Sequence, residues 1–170
     1  MNTRHTVTDT DLGPITIVAT GDAITGLYFD RHARRPRQEA FGPRVPMISD
    51  SLLGQACQQL LEYLAGQRTT FDLPLDAAGN DLQRSVWKIV SDIPYGQTIT
   101  YGEIAERLGD RALAQKVGQA VGANPLCVVV PCHRVLGATG ALTGYAGGLT
   151  RKRALLELEE PAAVSTGRLF

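Results

Sequence analysis

The amino-acid sequence predicts an α+β protein with a small N-terminal lobe of strands and one helix, followed by a more helical C-terminal lobe. Residues 13–30, GPITIVATGDAITGLYFD, alternate apolar and polar side chains on both sides of a Gly-Asp pair, which is typical of a β-hairpin. Apolar side chains recur at helical spacing in residues 49–67 and again after residue 80. We therefore expect two lobes, 1–77 and 78–170, in a chain of 170 residues.

Three more segments complete the first lobe. Residues 31–46 are rich in Arg and Pro and lack periodicity, which indicates a loop. Ser49 or Asp50 can cap a helix that runs to about Gln67, and Cys57 beside its apolar stripe is predicted to fill the core. Residues 71–79, FDLPLDAAG, are predicted to form an edge strand and a linker.

The second lobe begins with a predicted helix at 80–94 and a turn at 95–100. Two short amphipathic helices follow, at 100–108 and 112–121, and a tight Gly-Asp turn joins them. This arrangement fits a helix-turn-helix, although an ordinary helical hairpin has the same pattern.

Residues 128–135, VVVPCHRV, place a cysteine beside a histidine. Val128–Val130 are predicted to form a buried strand that Pro131 ends, which would leave Cys132 and His133 at the rim of a cleft. A thiolate beside an imidazole is a candidate nucleophile. Cys127, just before this strand, is predicted to be a small buried side chain, with a redox or second-acceptor role as the alternative.

Five glycines between residues 137 and 148 would let the backbone approach a flat ligand closely. A helix is predicted at 150–159, and the tail 161–170 is predicted to be mobile. If that helix folds back, Glu159 could orient His133 in a Cys-His-Glu relay; otherwise Glu159 is a solvated helix-end residue.

Arg134 could anchor structure or a phosphate. The run 151–153, Arg-Lys-Arg, could touch DNA or form a solvated helix face.

The bulk composition excludes several classes. The chain has 17 basic and 17 acidic residues, but residues 84–153 contain nine basic residues against four acidic ones, so any nucleic-acid surface should lie in the second lobe. Three cysteines without a signal peptide argue against a secreted disulfide scaffold, and no stretch is apolar enough to span a membrane. We expect a cytoplasmic protein with reduced thiols.

Four motifs together resemble one family. They are PCHRV (131–135), GYAGGL (144–149), IPYGQTITYGEIA (93–105) and ANP (123–125). They are similar to the O6-alkylguanine-DNA alkyltransferases, also called methylated-DNA–protein-cysteine methyltransferases, over residues 76–160. The resemblance implies a ribonuclease-H-like first lobe, a winged-helix-like helix-turn-helix in the second, and irreversible, single-turnover transfer of an alkyl group from O6-alkylguanine, or O4-alkylthymine, in DNA to the protein.

The resemblance also implies roles by position. Cys132 would be the alkyl acceptor, His133 its base through a bound water, and Glu159 the carboxylate of the relay. Tyr101 would protonate the departing guanine, and Asn124 would tie the recognition helix to the active site. Tyr145 would line the pocket, and backbone groups of Val135, Ala146 and Gly147 would read the edges of the base.

The implied partner is double-stranded DNA carrying alkylated bases, bound through the minor groove by a monomer that could cluster along DNA. Reaching the lesion requires base flipping, which costs on the order of a few kcal/mol. Small residues on the second helix would allow close approach: Ala112, Ala114, Gly118 and Ala120. Gln115 stands where the family has an arginine that fills the gap left by the flipped base. Lys116 is about 100° around the helix and should not replace that arginine.

No cofactor is implied. The zinc site of some family members needs several Cys and His ligands near the N-terminus, and this chain has only His5, His32 and the helical Cys57 there, so we predict no metal. The alternatives are a non-catalytic binder of alkylated DNA, a Cys-His-Glu thiol hydrolase, or a DNA-binding regulator. The number of turnovers separates these functions. An alkyltransferase retains one alkyl group, a hydrolase turns over many times, and a binder or regulator does not react.

Overall fold

A computed structural model of the protein describes residues 2–160 and has an α+β architecture. The predicted mobile tail lies outside the described residues. In chain order the elements are β1 (Thr3–Thr10), β2 (Gly13–Thr20), β3 (Ala23–Phe29), α1 (Ser51–Leu64), α2 (Asp81–Ser91), β4 (Ile99–Thr100), α3 (Tyr101–Arg107), α4 (Ala114–Gly122), β5 (Val135–Leu136) and α5 (Leu149–Glu159). Within residues 2–160, no helix is long and apolar enough to cross a lipid bilayer.

The first lobe is a three-stranded antiparallel sheet in the order β1-β2-β3, covered by α1. The β2–β3 hairpin with its Gly21-Asp22 turn is confirmed. The sequence did not reveal β1, because its buried positions hold His5, Thr6 and Thr8, so no apolar alternation marks it. Backbone pairing with β2 from Thr3↔Thr20 to Thr10↔Gly13 forms the strand nonetheless.

Helix α1 lies close to its predicted position. It begins at Ser51, because the Asp50 carboxylate accepts a hydrogen bond from the Leu53 N–H at 3.1 Å and caps the helix. The apolar stripe packs on the sheet, and Cys57 is buried in the core as predicted. Burial raises the pKa of Cys57 to about 11, so its thiol stays protonated.

The predicted edge strand at 71–79 is wrong. This segment makes one isolated parallel bridge, Leu75 with Ile24 of β3. The Pro74 carbonyl accepts a hydrogen bond from the Ile24 N–H at 2.8 Å, and the Asp76 N–H donates to the Ile24 carbonyl at 3.0 Å. Pro74 has no N–H to extend the ladder, so the pairing stops there.

The second lobe contains the predicted helices. Asn80 and Gln83 form a capping box that begins α2, and α2 and α3 both pack against α4. Residues 111–113 form a 3₁₀ turn, so α4 begins at Ala114, two residues after the predicted start. One hydrophobic core includes residues of both lobes, among them Phe29, Tyr63, Trp87 and Val135.

The predicted strand at Val128–Val130 is also wrong. The Val129 N–H donates to the Cys127 carbonyl at 2.9 Å around Val128, whose φ is +73°, which makes a γ-turn. An inverse γ-turn follows at Pro131, where the Cys132 N–H donates to the Val130 carbonyl at 2.7 Å. A β-branched residue at positive φ costs about 1–3 kcal/mol, so the surrounding structure must hold Val128 there.

Candidate active site

Cys132 lies at the start of a 3₁₀ turn, Cys132–Arg134, and is 3% exposed. It borders a cleft of about 220 Å³ between the two lobes. The cleft is lined from the first lobe by Ala33 and Arg34, and from the second by Tyr101, Gly118 and Gly144–Ala146, among others. The predicted rim position of the cysteine is therefore reached on a turn rather than at the end of a strand.

Glu159 faces His133, so the structure brings these two relay residues together. The Glu159 carboxylate lies 2.8 Å from Nε2 of His133, and both side chains are buried. Burial alone would raise the pKa of Glu159, but hydrogen bonds from His133 and Arg134 outweigh it and lower the pKa to about 2. An ionised carboxylate only accepts, so Nε2 carries the proton and Nδ1 keeps its lone pair.

Nδ1 of His133 is buried and makes no hydrogen bond to any residue from 2 to 160. Burial lowers the pKa of His133, and the nearby Glu159 carboxylate opposes that shift. The ring is therefore neutral at rest, with an unprotonated nitrogen that can accept a proton.

Two further residues hold Glu159: Arg134, for which the sequence left a structural and a phosphate-binding role open, and Tyr63, to which the sequence gave no role. The Arg134 guanidinium donates to both carboxylate oxygens of Glu159, at 2.7 and 2.8 Å, and to the Ile93 carbonyl at 2.6 Å. Arg134 is thus a structural anchor. The Tyr63 hydroxyl also donates to Glu159. Tyr63 ends the stripe of a helix 96 residues upstream of Glu159, so no local signal could have linked them.

Asn124 joins the end of α4 to the segment that leads to Cys132. Its Nδ2 donates to the Val130 carbonyl at 2.9 Å, and its Oδ1 accepts from the Leu126 N–H at 2.9 Å. These two bonds connect Leu126 and Val130, which lie on either side of the γ-turn at Val128. Asn124 therefore links the C-terminal end of α4 to the segment that precedes Cys132.

The aromatic residues predicted for the pocket lie in its wall. Tyr101 begins α3, and its hydroxyl donates to the Thr143 carbonyl at 3.4 Å. Burial raises the pKa of Tyr101, so the phenol stays protonated at neutral pH. Tyr145 is half-buried near Cys127 and Cys132, and burial raises its pKa well above the ordinary value.

Some backbone groups that are predicted to contact the edges of the base already make hydrogen bonds within the protein. The Val135 carbonyl accepts from Lys152 at 2.6 Å, and the Ala146 carbonyl accepts from the Ala33 N–H at 2.8 Å. A Cβ added to Gly147 would come within 2.6 Å of the Phe29 ring, so only glycine fits between this loop and the first lobe. Of these three residues, Ala146 lines the cleft.

In the basic run at the start of α5, Lys152 and Arg151 are engaged within the protein and do not form a solvated face. Lys152 is 0% exposed, and its amine donates to the carbonyls of Val135, Thr143 and Gly144. Burial lowers the pKa of Lys152 to about 8. Arg151 bonds the Leu12 carbonyl at 2.8 Å and also contacts Asp30 of the first lobe. Within this run, Arg153 is the exposed residue.

The predicted DNA-facing residues lie in the 3₁₀ turn before α4 and in the first half of α4. Ala120, another small residue predicted to allow close approach, is instead buried in the core. Ala112, Gln115 and Lys116 are exposed, and Ala114 is half-buried. Gly118 lies against the Tyr101 ring, where an added Cβ would be 3.8 Å from the ring. Among these six residues, Gly118 alone lines the cleft that contains Cys132.

The three residues weighed as metal ligands lie in separate places. Nδ1 of His5 lies 3.0 Å from the Gly42 carbonyl, and His32 lies beside Cys127. Cys57 is inside α1. In the described part of the chain, no three His, Cys, Asp or Glu side chains are placed to hold a metal ion.

A buried cysteine next to a His133–Glu159 pair, at a cleft lined by residues of helices α3 and α4, is the arrangement expected of a DNA-binding protein with a cysteine nucleophile. Two domain-family models match the chain: the ribonuclease-like domain of 6-O-methylguanine DNA methyltransferase over residues 3–77, and the DNA binding domain of the same family over residues 81–161. The chain belongs to the 6-O-methylguanine DNA methyltransferase family. The predicted family and fold are confirmed.

Individual relatives support the same family assignment. The chain is 44% identical over 162 residues to the methylated-DNA–protein-cysteine methyltransferase of Mycobacterium tuberculosis, with 95% of each chain covered. It is 40% identical to the inducible methylated-DNA–protein-cysteine methyltransferase of Bacillus subtilis, with 82% of each covered. A crystal structure of Mycobacterium tuberculosis OGT in complex with DNA superposes with a TM-score of 0.85, at 44% identity and 92% coverage of each chain.

Proposed function

We propose that Cys132 is the residue that removes alkyl groups from the O6 position of guanine, and from O4 of thymine, in double-stranded DNA. The protein repairs DNA by direct reversal, transferring the alkyl group to a cysteine of its own chain. One observation supports Cys132 above all: its sulfur borders the cleft, next to a neutral histidine that a buried carboxylate orients. The other two cysteines are also buried, but neither lines the cleft in the described structure.

The proposed reaction transfers one alkyl group and uses His133 as proton acceptor and Tyr101 as proton donor. Nδ1 of His133 takes the Cys132 thiol proton through a bridging water, and Glu159 stabilises the imidazolium that forms. The thiolate sulfur then attacks the alkyl carbon in line, a C–S bond forms and the C–O bond breaks. The guanine takes a proton from the Tyr101 hydroxyl, and that phenol recovers it from the solvent or the imidazolium. The product thioether is stable, so each chain reacts once, without a cofactor.

The raised pKa of Tyr101 supports its role as the acid. Only the protonated phenol can donate to the departing guanine, and burial keeps that form dominant at neutral pH. Tyr145 would pack against the flipped base, while backbone groups of Val135, Ala146 and Gly147 would read its edges. Asn124 would transmit the position of α4 to Cys132 through its two hydrogen bonds.

The DNA surface in this proposal is the exposed N-terminal end of α4, which enters the minor groove as the protein binds as a monomer. The exposed Ala112 and half-buried Ala114 permit close approach, and Gln115 and Lys116 project beside them. The first lobe, 1–77, supports the cleft, and the second, 78–170, supplies the chemistry. Because the acceptor must be a reduced thiol, we place the protein in the cytoplasm.

Mass spectrometry tests the proposal. The full-length protein is mixed with a duplex that carries one O6-methylguanine, and intact mass and peptide fragments are measured. We expect one added methyl group on Cys132, none in Cys132→Ser, and normal uptake in Cys57→Ser, which removes a core thiol outside the cleft. Binding without added mass would indicate a lesion binder, and repeated product release would indicate a hydrolase; either result would refute the proposal.

A further inference from the structure

Cys127 is a second thiol at the active site to which the proposed reaction gives no task. Its side chain is 0% exposed, and its Sγ lies 3.9 Å from Sγ of Cys132. On its other side, the same sulfur lies 3.7 Å from Nε2 of His32, in the loop of the first lobe. The three side chains thus form a continuous buried row that ends at Cys132.

In this row, each hydrogen bond is donated toward Cys132. The Phe29 N–H donates to Nδ1 of His32 at 3.2 Å, so Nδ1 is the unprotonated nitrogen and Nε2 carries the proton. The Nε2–H group therefore donates to the sulfur of Cys127. With its sulfur accepting from His32, Cys127 can point its own S–H at the sulfur of Cys132.

The surroundings keep His32 in this state. Its ring stacks on Phe29 with a centroid separation of 6.0 Å and meets Tyr28 edge-on at 5.4 Å. Burial, together with the charges of Arg151 and Arg35, lowers the pKa of His32 to about 4, so the ring is neutral at pH 7. The next residue, Ala33, donates to the Ala146 carbonyl in the cleft wall and fixes the loop against the site.

We propose that Cys127 is a positioning residue that donates a hydrogen bond to the sulfur of Cys132 and favours its thiolate, and that His32 orients Cys127 for this task. The inference rests on the proposed function of Cys132 as the alkyl acceptor. A hydrogen bond to an ionised acceptor is about twice as strong as one between neutral groups, so Cys127 stabilises the thiolate more than the thiol.

The charge balance at Cys132 agrees with this assignment. The hydrogen bond from Cys127 is the main cause that lowers the pKa of Cys132, and it acts against burial, which raises it. The nearby amide of Asn124 and the charge of Lys152 also lower the pKa of Cys132. The other titratable groups near the thiol are His133, Tyr101 and Tyr145.

Two probes of the full-length protein test the role of Cys127. One is the rate of benzyl transfer from free O6-benzylguanine, and the other is iodoacetamide labelling, both across pH and both mapped to Cys132 by fragment mass. We expect Cys127→Ala to raise the apparent pKa of Cys132 by about one unit and to slow both reactions about tenfold at neutral pH. At high pH the rates should converge with wild type. Cys127→Ser keeps a donor and should recover most of the loss.

Cys57→Ala is the matched control, because it removes a buried thiol far from the cleft and should leave the pH profile unchanged. Identical profiles for Cys127→Ala and wild type would overturn the inference, and so would equal shifts in the Ala and Ser variants. His32→Asn gives an independent reading, since its effect should be present in the wild-type background and absent in Cys127→Ala. If wild type gains no benzyl group, the proposed function fails, while the labelling profiles still decide the role of Cys127.

Discussion

Two buried histidines near the pair of thiols have opposite proton chemistry: His133 follows Cys132 in the chain, and His32 contacts the sulfur of Cys127. His133 directs its Nε2–H to the Glu159 carboxylate at 2.8 Å, which leaves Nδ1 as a basic nitrogen beside a group that stabilises positive charge. His32 accepts a backbone N–H on Nδ1 and presents Nε2–H to Cys127, with no carboxylate bonded to it in the described structure. Burial lowers the pKa of both rings. The difference shows that the bonded partner, not burial, decides whether a buried histidine acts as a base or as a donor.

The largest difference should appear when each histidine is replaced by asparagine. His133→Asn removes the proposed general base and should slow benzyl transfer from O6-benzylguanine roughly 10²–10⁴-fold. His32→Asn removes only the orienting donor of Cys127 and should slow it about tenfold or less. Single-turnover rates at neutral pH measure both. Equal losses of rate in the two variants would contradict the proposed difference in role between His133 and His32.

Glu159→Gln should affect stability as well as rate. Arg134 is bonded to both oxygens of Glu159 and is itself buried, so the neutral amide leaves its charge without a counter-charge. Loss of one partner of a buried ion pair costs about 3–5 kcal/mol of unfolding free energy. Denaturant titration measures the change, and Glu157→Gln, at an exposed position on the same helix, serves as the control. A loss no larger than that of the control would contradict the ion-pair interpretation.

Acid should act on the two sites in different pH windows. The pKa of Glu159 is about 2 in the folded protein against 4.5 normally, so its stabilisation is complete above pH 4.5 and is lost as the pH falls toward 2. The pKa of His32 is about 4 against 6.5, so the unfolded chain binds its proton first and stability falls between pH 6.5 and 4. Across its pH window, each group changes the free energy of unfolding by on the order of 3 kcal/mol.

Unfolding free energies measured from pH 7 to 3 test these windows. His32→Asn should flatten the upper part of the curve, although His133, whose pKa is also lowered, keeps some slope there. Glu159→Gln should flatten the lower part. If either variant changed the slope only in the window of the other, the assignment of protonation states would be wrong.

The smallest effect concerns the proposed DNA surface, which contains neither histidine. Gln115→Arg adds a charged donor at an exposed position of α4, and we expect about a tenfold gain in the repair rate of duplex O6-methylguanine. The rate with free O6-benzylguanine should not change, because both histidine sites are untouched. Gains of equal size with both substrates, or no gain, would contradict a flipping role for position 115.

Local patterns predicted much of this molecule. The hairpin and the helices from α1 to α5 lie within a few residues of their predicted bounds, because capping residues and apolar periodicity act over one or two turns. The sequence also proposed that Glu159 could fold back on His133, and the structure brings the two together. The proposed catalytic roles of Cys132, Tyr101 and Asn124 stay predictions until they are measured.

What the sequence determined by itself is the β2–β3 hairpin, the helices and the motif that carries the candidate nucleophile. Only the tertiary structure decided that Val128 turns rather than extends, that Lys152 is buried, and that His32 reaches Cys127 from 95 residues away. The physical reason is the range of the interactions. Periodicity and capping leave a signal between neighbours, whereas a hydrogen bond between distant segments exists only once the core has brought them together.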